Sequence, residues 1–204
     1  MRQANAAHDG PWRIREIASD FEIVDVWALP AHGGASDFRT LVEIVASLDP
    51  TNAGSGPARV LWRFRERLGD WLNLDRGLEP IPGTNETSLA SRLPEGLRNT
   101  AAAVNFGALP FTSLYLTDVE FAAEFSNQTM HGVLHVAWVQ QREGHYRGQM
   151  AVYVKLRGLL GKTYKALVMP FRRWVLYPAI LRKIEREWSS RAAHGRSSGR
   201  EARA

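Results

Sequence analysis

The residues best suited to moving protons lie in the middle of the chain: Glu124, His131, His135 and Tyr153. Imidazole changes charge between pH 5 and 8, and a carboxylate or phenol held beside it can work with it as acid or base. The order of these residues along the chain does not assign them roles. On a helix, the four-residue spacing of His131 and His135 would put both rings on one side and suit a shared metal ion. On a strand the same spacing sets their backbones ~13 Å apart, too far for ligands ~2.1 Å from one zinc ion. Glu120 and Glu124 fail as a carboxylate pair by the same distance, and their cross-strand partners are not given by the sequence. No metal site and no cofactor is expected, and the alternative reading of all these groups is a solvated or cavity-lining polar face.

Other signatures of chemistry are missing. The chain has no cysteine, which removes disulfides, thiolate metal sites and cysteine nucleophiles together. No Gly-x-Ser-x-Gly elbow occurs. Gly161-Lys162-Thr163 echoes the end of a phosphate-binding loop, but Leu156 stands where that loop requires glycine. Gly54-Ser55-Gly56 lacks the third glycine of a dinucleotide fingerprint and follows an expected helix instead of a strand. The first ten residues carry no apolar signal core, and no run reaches the ~18 apolar residues of a spanning helix, so a cytoplasmic protein is expected. The sequons at Asn85 and Asn127 then carry no weight.

These residues need a scaffold, and 204 residues at 45% hydrophobic suit one α+β domain. Residues 1–20 read as a loose segment, 21–191 as the domain and 192–204 as a disordered basic tail. A first strand runs from Phe21 to Leu29 and stops at Pro30. Ser36 then caps a helix carrying Phe38, Leu41, Val42, Val45 and Leu48. A second helix from Pro57 carries Leu61, Phe64, Leu68, Trp71 and Leu72, and residues 75–110 read as loops around one helical turn at 93–97. From Leu114 onward four strands follow on short turns (114–117, 119–125, 130–140 and 146–156), although 120–125 also suits a helix.

The last two of these strands can be placed in register. The even positions Met130, Leu134, Val136 and Trp138 are apolar on one strand, as Met150, Val152, Val154 and Leu156 are on the next. Paired residues share a face, so the sum of their numbers must be even. A three-residue loop Arg142-Glu143-Gly144 meets that condition with glycine in a left-handed position. It pairs Leu134 with Val152, Val136 with Met150 and Trp138 with Gly148, whose bare backbone the indole would cover. The opposite face then carries His131, Val133, His135, Ala151, Tyr153 and Lys155. After Gly158 the spacing becomes helical through Leu160, Tyr164, Leu167, Phe171, Trp174, Leu181, Ile184 and Trp188. Pro170 and Pro178 sit inside this stripe, so a kinked or two-piece helix is expected.

The net charge of +5 is uneven, because residues 157–204 hold 12 lysines and arginines against three acidic residues. That permits weak contact with an anionic membrane through the basic helix face, while the aromatics beside Arg172 and Arg173 belong to the apolar stripe and argue against nucleic acid. The apolar stripe itself can serve only one partner, the sheet or the lipid.

Several segments together resemble a known family. Ser126 to His135, Tyr146 to Val152, Gly158-Leu159-Leu160-Gly161, and Pro170-Phe171-Arg172 through Tyr177-Pro178-Ala179 are similar to a bacterial family of unknown function numbered 2867, as is the early Val26-Trp27-Ala28-Leu29-Pro30. That resemblance implies a likeness to helix-grip proteins of the START and polyketide-cyclase type, an antiparallel sheet wrapped around a long C-terminal helix. It transfers no catalytic residue. The pocket expected from it lies between the sheet and the helix, lined by Leu134, Val136, Trp138, Met150, Val152, Tyr164, Phe171 and Trp174. The leading expectation is binding of a small hydrophobic molecule there. The alternative is an enzyme of cyclase or hydrolase type using His131, His135, Glu124 or Tyr153 in the same cavity.

Overall fold

In the computed structural model of the chain, the residues described are 2–3, 8, 10–48, 88–101, 104–107, 109–126, 130–157 and 177–201, with backbone alone for 2–3 and 192–201. The expected helix from Pro57 and the pocket residues Tyr164, Phe171 and Trp174 lie outside them, as does Pro170. The elements are β1 (Arg2–Gln3), α1 (Ile14–Ile17), β2 (Glu22–Gly33), α2 (Phe38–Ala46), β3 (Thr112–Leu116), β4 (Glu120–Ser126), β5 (Met130–Arg142), β6 (His145–Leu156) and α3 (Tyr177–Glu201). The strands form one antiparallel sheet in the order β1-β2-β6-β5-β4-β3. The first long strand therefore pairs with the last, and the other three follow as a meander.

The β5–β6 register is the one the alternation requires: Leu134 opposes Val152, Val136 opposes Met150 and Trp138 opposes Gly148. The turn is tighter than expected. Arg142 pairs with His145 after a register shift past Gln140, so the connection is Glu143-Gly144 with Gln141 as the extra residue. Gly144 takes φ 67°, the left-handed conformation that glycine adopts without a Cβ clash. A Cβ at Gly148 would come within 2.7 Å of Leu41 Cδ2 and 3.1 Å of Leu29 Cβ, so α2 and β2 approach the bare backbone most closely. Trp138, its cross-strand partner, donates its Nε1–H to the Gly34 carbonyl at 2.8 Å and packs among Phe38, Tyr146 and Trp188.

Two further boundaries move for identifiable reasons. β2 passes through Pro30 to Gly33, because Pro30 falls in the interval between the Ala28–Gln149 and His32–Arg147 pairs, where the ladder is interrupted. Ser36 does not cap α2. Ala35–Asp37 form a 3-10 turn, and the Asp37 carboxylate accepts from the Gly34 amide at 2.8 Å. The single helical turn expected at 93–97 is two 3-10 turns, Leu89–Arg92 and Glu95–Leu97.

The sheet is covered on both sides. On one, the helical face, α2 and α3 press Phe38, Leu41, Val42, Val45, Tyr177 and Ile184 against Trp27, Leu134, Val136, Trp138, Met150 and Val152. Pro178 is the second of the described residues of α3. Ile184 has no exposed surface and Trp188 packs on Trp138, so this part of the apolar stripe faces the sheet. The helical backbone continues to Glu201.

The other side is the amino-terminal face, where Ile14, Ile17, Phe21, Leu89 and Leu93 close over Val26, Tyr115, Val133, Ala151 and Tyr153. The first twenty residues, read from sequence as loose, supply β1, α1 and the fully buried His8 among their described members. Their polar composition hid two apolar anchors, Ile14 and Ile17.

Candidate functional site

Strand register builds the most distinctive chemistry in the molecule. On β4 and β5, Glu120 lies opposite Ala137, Ala122 opposite His135, Glu124 opposite Val133 and Ser126 opposite His131. All eight point to the amino-terminal face. Each glutamate therefore reaches a histidine on the diagonal, one pair step away, which is within range of long side chains. His131 Nε2 lies 2.7 Å from Glu124 Oε2, and His135 Nε2 lies 3.1 Å from Glu120 Oε2. The four side chains are buried, with no more than 5% of any side chain exposed.

The Glu120 half forms a chain of hydrogen bonds. Glu120 accepts from the Arg13 amide through both oxygens, at 3.1 and 3.0 Å, and from the Tyr115 hydroxyl at 3.1 Å. Beyond it, His135 Nδ1 lies 3.0 Å from His8 Nε2, and His8 Nδ1 meets Gln149 Oε1. Burial by itself raises the Glu120 carboxyl pKa, but the bonds from His135, Arg13 and Tyr115 outweigh it and hold the group below the usual carboxylate range. Burial lowers His135 despite the neighbouring carboxylate. Burial first, and then the Glu120 charge, push the Tyr115 hydroxyl far up, so it remains a donor.

Proton roles follow from these groups. An ionised Glu120 only accepts, so His135 donates from Nε2, and neutral His135 then accepts at Nδ1. His8 must donate from Nε2. Its Nδ1 carries a second proton when Gln149 presents Oε1, and accepts when the Gln149 amide turns to present its NH2. A shift of one proton across the His8–His135 contact would move positive charge between the two rings without moving a heavy atom.

The Glu124 half is wired differently. Ser88 donates its hydroxyl to Glu124 Oε1, and the Leu89 amide donates to Oε2 at 3.0 Å. Burial again opposes ionisation of Glu124, and the His131, Ser88 and Leu89 bonds prevail to lower its pKa. Serine, glutamate and histidine thus meet, but with the carboxylate in the centre. A nucleophilic serine needs the imidazole beside it to take its proton, and here Ser88 gives its proton to Glu124 and accepts from the Ala90 amide. This wiring ties the 88–92 turn to the sheet and does not activate Ser88.

Of the candidate acid–base residues, the structure joins Glu124 to His131 and sets the rings of His135 and Tyr153 perpendicular at 6.3 Å. All four are buried beneath the amino-terminal cover and do not face bulk solvent. Of their partners, the sequence raises Glu120 only as a failed carboxylate pair with Glu124, and does not mark Tyr115, His8 or Gln149. A β4–β5 register would have exposed the two Glu–His diagonals, whereas nothing in the sequence near His8 marks it as a core residue. His131 and His135 engage different glutamates, and among the described residues no cluster of three or more His, Asp and Glu is arranged to hold a metal ion.

The expected pocket residues Leu134, Val136, Trp138, Met150 and Val152 are on the opposite side, packed into the main core. At the β3 end of that core lies an open depression of about 280 Å³, lined by Ala101, Val104, Asn105, Phe106, Phe111, Thr112 and Ser113. Phe106 lies against Phe111 and stacks on Phe121, and Phe111 meets Phe125 edge-on.

Among the described residues no helix is long and apolar enough to cross a membrane. No curated protein and no solved structure matches the chain. A family match covers residues 17–179, spanning β2 through the first residues of α3, and the chain therefore belongs to the family described as Protein of unknown function (DUF2867).

Proposed function

We propose that the chain is a binding protein for a small apolar molecule, held on the helical face of a helix-grip-like sheet and entered from the β3 end. The observation that carries this reading is the aromatic depression, where Phe106 and Phe111 extend the core aromatics Phe121 and Phe125 out to solvent. Partly exposed aromatic rings beside a few polar groups, here Asn105, Thr112 and Ser113, are the usual lining of a small-molecule site. At about 280 Å³ the space is near the low end for such sites, which restricts the ligand to one or two rings or a short acyl chain. The pairing of the first long strand with the last, with α3 over the same face, supports the helix-grip comparison.

The acid–base groups are buried beneath the amino-terminal cover, whereas the aromatic depression is open, so the binding reading is preferred to catalysis. The test is native mass spectrometry of the purified chain, followed by titration with the apolar fluorophore N-phenyl-1-naphthylamine. A co-purified small molecule, or saturable probe binding that Thr112→Trp abolishes by filling the depression from its rim, is the expected result. Absence of both an adduct and saturable binding would overturn the proposal.

A further inference from the structure

The amino-terminal face holds a socket shaped around a single imidazole ring. His8, with no exposed surface, occupies it. One nitrogen of the ring meets Gln149 Oε1 and the other lies 3.0 Å from His135 Nδ1. Trp12 stacks on the ring at 6.0 Å and 26°, while His135 and Tyr153 approach it edge-on at 5.0 and 5.9 Å. Both nitrogens, one ring face and the ring edge are therefore contacted. Gln149, His135 and Tyr153 belong to β5 and β6, so most of the socket is part of the sheet and exists apart from the segment that fills it.

Anchoring a segment does not require such a site. Apolar residues of similar volume commonly hold buried positions as well as or better than polar networks do. Ile14 and Ile17 anchor the same segment in that way a few residues later. The polar socket, by contrast, selects its occupant. Glu120 accepts from the Arg13 amide, a tyrosine hydroxyl and His135, which fixes His135 as an acceptor toward the socket. The occupant must then present one ring N–H to His135. Its second nitrogen meets an amide that either accepts or donates according to its rotation, so both imidazole and imidazolium fit. Pyridine offers no donor and benzene offers neither group.

We propose that this socket is a recognition site for imidazole-class rings, planar five-membered heteroaromatics with a ring donor and a second ring nitrogen, and that His8 is its tethered occupant, exchangeable for a free ring of the same class. The site lies on the opposite side of the sheet from the aromatic depression and does not depend on it. The amino-terminal segment is then a plug in which one recognised side chain adds to the β1–β2 pairing, the Arg13 amide and the apolar contacts of Trp12, Ile14 and Ile17.

The experiment uses the full chain with His8→Gly, which removes the ring and leaves the socket walls. Imidazole titrated into this variant is expected to raise its thermal midpoint saturably, with pyridine giving no comparable rise. The double variant His8→Gly with Gln149→Leu is expected to lose the effect. In the wild-type chain, imidazole in large excess over the about millimolar effective concentration of a tethered group is expected to release the segment. Trypsin cleavage after the exposed Arg13 and Arg15 should then rise several-fold and saturably. Equal rescue by pyridine and imidazole, or no rescue at all, would overturn the proposal. Should His8→Gly fail to fold, the wild-type cleavage decides, and an unchanged rate with imidazole refutes exchange.

Discussion

Glu124 and His131 meet at 2.7 Å across the β4–β5 diagonal, and the same step along the two strands brings Glu120 to His135 at 3.1 Å. One register thus produces two buried carboxylate–imidazole contacts, each fastening a different part of the cover. Glu124 holds the 88–92 turn through Ser88 and Leu89. Glu120 holds the amino-terminal segment through Arg13 and, by way of His135, through His8. The amino-terminal face is closed by polar bonds as well as by apolar contact.

Removing both members of such a pair should cost less than the sum of removing each alone. His131→Leu leaves Glu124 buried with its other donors but without its imidazole, and breaking a buried pair from one side typically costs about 3–5 kcal/mol. The double variant Glu124→Leu with His131→Leu removes the stranded charge, although it also frees the Ser88 hydroxyl and the Leu89 amide. Urea unfolding is expected to give a double-variant loss clearly smaller than the sum of the two single losses. Additive losses would show that the pair is not coupled.

Acid should loosen the fold in two stages. The His135 pKa is lowered by burial, and that of His32 by partial burial and the nearby Arg147, so below about pH 6.5 the unfolded chain binds protons that these folded histidines do not. Their contribution is complete above the unfolded value and is lost as pH falls through the folded one. Glu120 and Glu124, lowered by their donors against the effect of burial, contribute stability that is complete above about pH 4.5 and is lost below it. Tyr115 acts at the other end: its raised pKa favours the folded state until pH climbs past about 10. The groups facing this network are Tyr115 from β3, Glu120 from β4, His135 from β5, Gln149 and Tyr153 from β6, and His8 with the Arg13 amide from the amino-terminal segment. The thermal midpoint measured against pH is expected to hold a plateau near neutrality, decline from about pH 6.5 and decline further below about 4.5. Substituting His135 by Gln should flatten the first decline in part.

Much of this architecture is written in the sequence, and the parts that are not share a cause. Alternation fixes the β5–β6 register to the residue, because a one-residue slip would turn Leu134, Val136 and Trp138 out of the core. It also assigns His131, His135 and Tyr153 to one face. What alternation cannot supply is the register of β4 against β5, since Glu120 to Phe125 shows no alternation of its own: both faces of that strand are buried. The Glu–His pairs were hidden for that reason. His8 was hidden for another, because a lone histidine in a polar stretch is marked as buried only by partners more than 120 residues away. The close approach at Gly148 and the extra residue Gln141 depend on α2 and on turn geometry, neither of which a hydrophobic pattern encodes.

Gly148 tests how closely α2 sits on the sheet. A Cβ there would meet Leu41 Cδ2 at 2.7 Å, the movable end of a side chain, but also Leu29 Cβ at 3.1 Å, which is fixed to the β2 backbone. Overpacking of this kind typically costs about 1–3 kcal/mol. Gly148→Ala is expected to lose that amount in urea unfolding. Combined with Leu41→Ala, it should show favourable coupling, because the truncation removes the Cδ2 that makes the closest of the new contacts.

Trp138 links three elements, and the polar part of that link can be separated from the apolar part. Its Nε1–H reaches the Gly34 carbonyl at 2.8 Å, securing the turn before α2, while its ring contacts Phe38 on α2, Tyr146 on β6 and Trp188 on α3. Phenylalanine keeps part of the ring contact and removes the donor, leaving the Gly34 carbonyl without this bond at a cost of about 0.5–1.5 kcal/mol. Alanine removes the ring as well and should cost about 3–5 kcal/mol. The two substitutions should also differ in where the damage appears. Trp138→Phe is expected to speed amide exchange at Asp37, whose own amide bonds the Gly34 carbonyl at 3.3 Å, while leaving α3 protected. Trp138→Ala should in addition expose the Trp188 end of α3. Equal exchange in both variants at both places would show that the indole N–H makes no separate contribution.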